Sequence, residues 1–426
     1  MIVEQINKVI RFSTNKREAI LSILFSLLVF ISLACKSIVI NQENSLILSL
    51  LYLSSFAIFF VSMIIIIINC KVKDLFDKDS ILTKIIYGFF VMSYLIASII
   101  TSRMGCVLQS IAYILFIPIM FGVKNKKLLE DIFKSLCFAY THNFYIVFML
   151  SILLFNIETN ARYQGIFLNP NTYGILCAYC LVFFSYNCFY KSKLNWIWVG
   201  ICMATMYITQ CRAAIYACAI TFVIIVIYTI FNKVKIKSVV YNLSKIFIGI
   251  FICIVLIFNV SPYISELTAD INESGETNIK VEHDFDRVTQ GVANGAEFTS
   301  GRIDLWKAYI EEISIYPHND DEKIYINGDE ISMSAHNTYI YLAYAFGIIC
   351  GLSFLIFNIC IGFKSIRCIL LNKSNIVVLF SFCTIVQYGM YSLVESMYDT
   401  ISVMGTFVYI LCVAVICNTN EDSKSM

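Results

Sequence analysis

Residues 44–69 read NSLILSLLYLSSFAIFFVSMIIIIIN, 26 positions without one charged side chain. A helix rises about 1.5 Å per residue, so this run is long enough to cross the roughly 30 Å hydrocarbon core of a bilayer. Within that core no water serves the backbone N–H and C=O groups, and only a helix or a closed barrel satisfies them internally. The run is therefore read as a membrane-spanning helix, and it has company. Comparable segments lie at 19–40, 81–101, 105–122, 134–156, 171–190, 195–210, 213–231, 240–259, 338–362, 375–394 and 398–417. The expectation is an all-α polytopic membrane protein of about twelve transmembrane helices, forming one transmembrane domain over residues 1–426.

Composition points the same way. Hydrophobic residues make up 59% of the 426-residue chain and charged ones 14%, with mean hydropathy +0.78. Soluble domains hold about 45–50% apolar and 25% charged residues. A net charge of +2 and the lack of a basic tail give no footing for nucleic acid. The N-terminal stretch MIVEQINKVIRFSTNKREAI is polar and basic, and the apolar run after it is too long for a cleaved signal. The 17 cysteines are scattered through apolar segments, with none between 260 and 337, so they read as small packing residues rather than a disulfide framework. The pair Cys177 and Cys180 has the spacing of a metal or redox motif but lacks a second pair and sits in apolar surroundings, so it is read as packing.

Lysine and arginine set the orientation. With the N-terminus placed in the cytoplasm, 22 of the 31 basic residues fall on the cytoplasmic side and nine on the other. Both termini are then cytoplasmic. The cytoplasmic set is mostly lysine, whereas five of the nine external residues are arginines: Arg103, Arg162, Arg212, Arg287 and Arg302. Arginine grips phosphate through a planar fork that lysine lacks. Sparse arginines at external span ends, with one histidine at a span threshold, suit an anionic lipid-linked ligand. Arg103 and Arg287 are read as surface charges.

Residues 260–337 form the one large external loop. Its first part, to about residue 297, is acidic and rich in Gly, Asn and Ser, and reads as irregular. An amphipathic helix follows, with Ile303, Trp306, Ile310 and Ile313 on one face beside Tyr309, and Asp304, Lys307, Glu311 and Glu312 on the other. Thr299 or Ser300 is the expected N-cap, and Pro317 the stop. The loop ends at MSAHNTYIYLAYAFGII (333–349), where His336 and Asn337 stand at the mouth of an apolar run.

These landmarks occur in a particular order. Arg162 precedes Gly165 and the turn Asn169-Pro170-Asn171. Arg212-Ala213 sits in a short external hairpin. Ser300-Gly301-Arg302 leads to Trp306, and His336-Asn337 with Tyr339 precedes an apolar span containing Gly347. In this order the chain resembles the O-antigen polymerase and ligase superfamily, over nearly its whole length. The resemblance implies a metal-independent membrane glycosyltransferase without cofactor, at the bacterial plasma membrane. Its donor would be a glycan on undecaprenyl diphosphate and its acceptor a second glycan. A chain-length regulator is a possible partner protein under that resemblance.

Carried over, Arg212 and Arg302 would hold the diphosphate with Arg162 near them, and His336 would take the acceptor's proton. Asn337, Tyr339, Trp306 and Asn171 would support the site. Glu395 at an external span end would pair with an external arginine or bind sugar hydroxyls. The segment YPHNDDEKIYING (316–328) departs from the family's turn and makes His318 a competing base. His142, inside the fifth span, is read as neutral and hydrogen-bonded. Repeat-unit polymerisation is the favoured function because the loop is acidic and irregular. Ligation to lipid A core is the alternative, and a lipid-linked sugar transporter a more distant one, since internal repeats are not evident.

Overall fold

In a computed structural model of the chain, the residues described are 14–38, 40, 45–70, 81–154, 162–231, 236–260, 302–319, 324–326, 329–331, 334–372, 375–399 and 405–419. The acidic loop stretch, Arg287, the proposed caps Thr299 and Ser300, Gly301, and the loop lysines at 71–80 and 232–235 lie outside them. The helices are α1 (Thr14–Ala34), α2 (Ser45–Ile67), α3 (Ile81–Ile100), α4 (Met104–Gly122), α5 (Lys126–Leu154), α6 (Pro170–Tyr190), α7 (Asn195–Ile208), α8 (Arg212–Phe231) and α9 (Ile236–Val255), the last continued by a π turn. After the loop come α10 (Arg302–Glu311), a two-stranded antiparallel hairpin of β1 (Ile324–Ile326) and β2 (Asp329–Ile331), then α11 (Thr338–Phe346), α12 (Ile348–Leu371), α13 (Ile376–Ser392) and α14 (Thr406–Asn418).

Among the described residues, nine helices are long and apolar enough to cross a membrane, and α7, α13 and α14 are shorter apolar helices. Large apolar side chains lie outward along the bundle in numbers no soluble surface carries, among them Leu46, Leu53, Phe89, Phe247 and Phe251. The chain is an all-α, multi-pass membrane protein. Cys177 and Cys180 are buried thiols inside α6.

Two helices are hydrophobic all round and accordingly central. Nearly every residue of α6 is buried, and every residue of α14 is. At 13 residues, α14 is only about 20 Å long, well short of the hydrocarbon thickness. Its C-terminal end is fixed by Asn418 Nδ2, which donates to the carbonyls of Met120 (2.7 Å) and Ala414 (2.8 Å), level with the end of α4. The whole shortfall therefore lies at the other end, before Thr406. Among the described residues there, 393–399 are non-helical, which a membrane protein tolerates only where the backbone is buried or lines a polar cavity.

Three sequence expectations are corrected. The span at 338–362 is two helices, broken at Gly347 and running on to Leu371. Gly347 has φ +89°, and the loop after α10 packs into the break, where Ile348 N–H donates to Ser314 O at 2.9 Å. A Cβ on Gly347 would lie 2.5 Å from the Ile315 carbonyl oxygen, so the position needs glycine on both counts. The last span begins at Thr406 instead of 398. Along the helix of Arg302 the expected face is buried in part: Tyr309 is buried together with Leu305 and Ile313 packs on the core, while Ile303 and Ile310 are exposed. The helix turns this way because Tyr309 packs edge-on against Tyr344 of α11 and Trp306 Nε1–H donates to Ala335 O. It also ends at Glu311, before Pro317.

The end of the bundle remote from this region is tied by a buried ion pair. Arg17 of α1 donates through Nε (3.0 Å) and Nη2 to Asp131 Oδ2 of α5, and through Nη1 to Asn69 Oδ1 at 3.4 Å. Removing one member of a buried pair leaves the other charge uncompensated, at a cost of about 3–5 kcal/mol. Asp131→Ala is thus expected to lower the thermal midpoint of the detergent-purified protein strongly, while a paired Arg17→Met, Asp131→Leu variant recovers most of the loss. An unchanged melting curve for Asp131→Ala would show the pair to be dispensable.

Candidate active site

The α13 helix ends at Ser392, and the chain turns with Val394 and Glu395 N–H both donating to Tyr391 O. The turn delivers the Glu395 carboxylate to a point where three segments of chain converge. Its Oε1 accepts from Arg302 Nη2 at 3.2 Å and from Asn171 Nδ2 at 3.3 Å, and its Oε2 meets His336 Nδ1 at 3.0 Å. Arg302 spends a second fork nitrogen on the adjoining Val394 carbonyl at 2.6 Å. The three side chains keep 17–27% of their accessible surface, so they are shielded yet reachable from outside.

His336 is held by the backbone as well as by Glu395. It has φ +45°, a left-handed conformation that costs a non-glycine residue roughly 1–3 kcal/mol and gathers at functional sites. What keeps it there is the sequence on both sides. Trp306 Nε1–H donates to Ala335 O at 2.9 Å. Asn337 Oδ1 caps α11, accepting from Tyr339 N–H (3.0 Å) and Ile340 N–H (3.1 Å), and its Nδ2 donates to Leu393 O at 3.0 Å. Thr338 Oγ1 donates to Glu395 O (2.8 Å) and accepts from Met397 N–H (2.7 Å). The stretches 335–338 and 393–397 are thereby laced side by side. A carboxylate only accepts, so His336 Nδ1 carries a proton, and in the neutral ring the lone pair is then on Nε2.

The Asn169-Pro170-Asn171 turn works as a helix start. Asn169 Oδ1 accepts from Asn171 N–H at 2.8 Å and Pro170 occupies the first helical position of α6. That frees the Asn171 side chain to bridge two charged residues, with Nδ2 on Glu395 and Oδ1 accepting from Arg162 Nη2 at 2.6 Å. Arg162 Nε donates to Thr209 O at 3.0 Å, which ties the turn to the α7–α8 hairpin. In that hairpin Gln210 has φ +52°, and the Cys211 thiol donates to Asn171 O at 3.9 Å. Burial pushes the Cys211 thiol up to about 11; a backbone N–H at Ala214 and the charges of Arg162 and Arg302 oppose the rise, and Glu395 adds to it. Cys211 is thus a neutral thiol within the field of the cluster. Arg212 follows it directly and opens α8.

The structure therefore joins Arg162, Asn171, Glu395, Arg302 and His336 in one hydrogen-bonded chain, frames it with Asn337, Tyr339 and Trp306, and places Arg212 by position at the hairpin. His318 is elsewhere. Its Nδ1–H donates to Tyr344 O at 2.8 Å and its ring stacks on Tyr344 at 4.2 Å, while its carbonyl accepts from Arg103 Nη2 at 2.9 Å. Arg103 also donates to Ala345 O at 3.2 Å and lies over the Phe346 ring. The expectation that Arg103 is a surface charge is thus corrected: it holds the loop after α10 onto α11. His142 is on the outer face of α5, bonded to Phe138 O at 3.0 Å.

Sequence reasoning missed that Glu395 sits on His336, and that Thr338 locks the two segments together. Glu395 is 59 residues beyond His336 and in a different span end, so no local spacing carries the signal. Among the described residues no three His, Cys, Asp or Glu side chains gather as a metal-ligand set.

An O-antigen ligase family model matches residues 197–355, a stretch that takes in Arg212, Arg302 and His336 and leaves Arg162, Asn171 and Glu395 outside. No curated protein matches the chain. Over residues 197–355, which hold three of the site's charged residues, the chain is similar to the O-antigen ligase family.

Proposed function

We propose that the chain is a glycosyltransferase that polymerises undecaprenyl-diphosphate-linked oligosaccharide repeat units into O-antigen or capsular polysaccharide, on the external face of the plasma membrane with both termini cytoplasmic. The observation that carries the reading is the His336–Glu395–Arg302 constellation, a base oriented by a carboxylate that is itself oriented by an arginine. In the reaction, His336 Nε2 takes the proton of an acceptor sugar hydroxyl as its oxygen attacks the anomeric carbon. The bond from that carbon to the diphosphate oxygen breaks, and one displacement inverts the anomeric centre.

The leaving group gathers negative charge as it departs. Arg162, Arg212 and Arg302 are the positive groups this reading sets against that charge. Preorganised donors at such a position are worth about 10²–10³-fold each. Arg302 already spends two nitrogens on Glu395 and Val394, so its main work is to orient the carboxylate. Arg162 likewise spends two nitrogens, on Thr209 O and Asn171 Oδ1, so Arg212 at the hairpin is the arginine this reading sets directly on the diphosphate, with Arg162 and Arg302 near it. A chain-length regulator is a partner this reading allows.

Reconstitution with lipid-linked repeat units tests the assignment. Laddered products still on the lipid support polymerisation. Transfer solely to lipid A core makes the chain a ligase, the reading favoured by the description of the matched family. Movement of unpolymerised units across the vesicle without bond formation rejects both.

A further inference from the structure

The chain does not stop at Glu395 in carrying charge into this region. Residues 395–399 form a non-helical segment fastened at several points. Met397 O accepts from Tyr388 Oη (2.6 Å) and Thr406 Oγ1 (2.7 Å), Tyr398 O accepts from Tyr113 Oη (2.6 Å), and Asp399 Oδ1 accepts from Gln109 Nε2 at 3.4 Å. Gln109 is in turn oriented by Tyr94, whose hydroxyl donates to its Oε1 at 2.7 Å. Beside this segment lies a cavity of about 340 Å³, whose lining includes Lys36, Ser334, Tyr341, Ser396, Tyr398 and Asp399. Two of these residues are chain neighbours of the active site: Ser334 is two positions before His336, and Ser396 follows Glu395.

The chemistry of the lining is that of a sugar site. Tyr341 and Tyr398 stack with ring centroids 4.9 Å apart and give a flat apolar wall. Asp399 offers acceptors to hydroxyls and Lys36 offers donors, and the two charges attract each other. Burial lowers the Lys36 pKa and the Asp399 carboxylate opposes that shift. The volume falls at the small end of the range of ligand pockets, about 300–1,000 Å³, which suits one or two pyranose rings.

We propose that this cavity binds the terminal sugar of the acceptor glycan, with Asp399 and Lys36 on its hydroxyls, and presents the attacking hydroxyl to His336. The ligand is a neutral hexose or N-acetylhexosamine, since a hexuronate would set its charge against Asp399. The assignment rests on the transferase reading for the word acceptor, but the binding of a sugar does not.

The test uses the full chain purified in detergent and saturation-transfer NMR with a panel of free hexoses, N-acetylhexosamines and hexuronic acids. At least one neutral sugar is expected to show saturation, stronger than any hexuronic acid. Asp399→Asn and Lys36→Met should each cut that signal several-fold with melting curves unchanged, and His336→Asn should keep it. Saturation by no neutral sugar, or a signal indifferent to Asp399→Asn, overturns the site. A variant that fails to fold is replaced by Asp399→Glu, judged by the same signal. In turnover, Asp399→Asn should raise the acceptor KM about tenfold with kcat and donor KM within about twofold. A rise in donor KM instead overturns the acceptor assignment. Asp399-dependent sugar binding by a chain that forms no glycosidic bond would leave the subsite standing and sink the transferase reading. Transfer indifferent to Asp399 does the reverse.

Discussion

Replacing His336 with asparagine is expected to cut glycosyl transfer by about 10²–10⁴-fold while leaving the fold intact, the range that general-base assistance ordinarily supplies. Asparagine suits this position better than alanine does. It is several-fold enriched in the left-handed region that His336 occupies at φ +45°, where other side chains pay more. Its amide can also donate to Glu395 Oε2 as the imidazole does, so the Arg302–Glu395 contact is not stranded. What it lacks is a nitrogen lone pair able to take a proton. Such a loss of rate corresponds to about 2.7–5.5 kcal/mol of transition-state stabilisation, larger than any single packing change expected here. The measurement is initial rate with lipid-linked donor and acceptor, paired with a melting curve. Wild-type turnover by a folded His336→Asn protein would remove His336 as the base.

How far this was legible beforehand depends on the physical origin of each feature. An uncharged run such as 44–69 has one solution in a bilayer, so the spans could be counted from hydropathy alone. The break at Gly347 could not, because apolar residues continue on both sides and only the loop around Ile315 and the φ of +89° reveal it. In α10 the apolar pattern is broad enough to permit two rotations. The choice fell to tertiary partners, with Trp306 on Ala335 and Arg302 on Glu395 turning Leu305 inward instead of Ile303. Arginines and a threshold histidine stood out by residue type. Their meeting at Glu395 did not, since it depends on α13 and α14 being too short and leaving the 393–399 segment at depth. The resemblance to the superfamily supplied His336, Arg302, Arg212 and Arg162, the sequence set Glu395 against an external arginine, and geometry added that the same carboxylate also holds His336.

That carboxylate is the second place where a single substitution should be decisive. Glu395→Gln keeps the volume and replaces an acceptor-only group by an amide. One of its two ends must then present N–H where the wild type presents oxygen, either toward Arg302 or toward His336. Turned toward His336, the amide N–H makes Nδ1 the acceptor, shifts the ring proton to Nε2 and blocks the nitrogen that should take the acceptor's proton. Turned toward Arg302, it sets donor against donor in a partly buried contact and leaves the guanidinium short of a partner, at roughly 1–3 kcal/mol. Either way kcat is expected to fall about 10²–10⁴-fold with a smaller change in KM, because the substrate's remaining contacts are untouched. Arg302→Lys should fall short of wild type as well, since one ammonium cannot serve both Val394 O and Glu395 Oε1 with the fork geometry of a guanidinium. The discriminating experiment is the double variant of His336→Asn with Glu395→Gln. If Glu395 acts through the imidazole, the double variant is little slower than either single one, as residues of one catalytic unit are strongly non-additive. Losses that multiply would mean that Glu395 works independently, on the sugar or the diphosphate, and that His336 is oriented by its backbone alone.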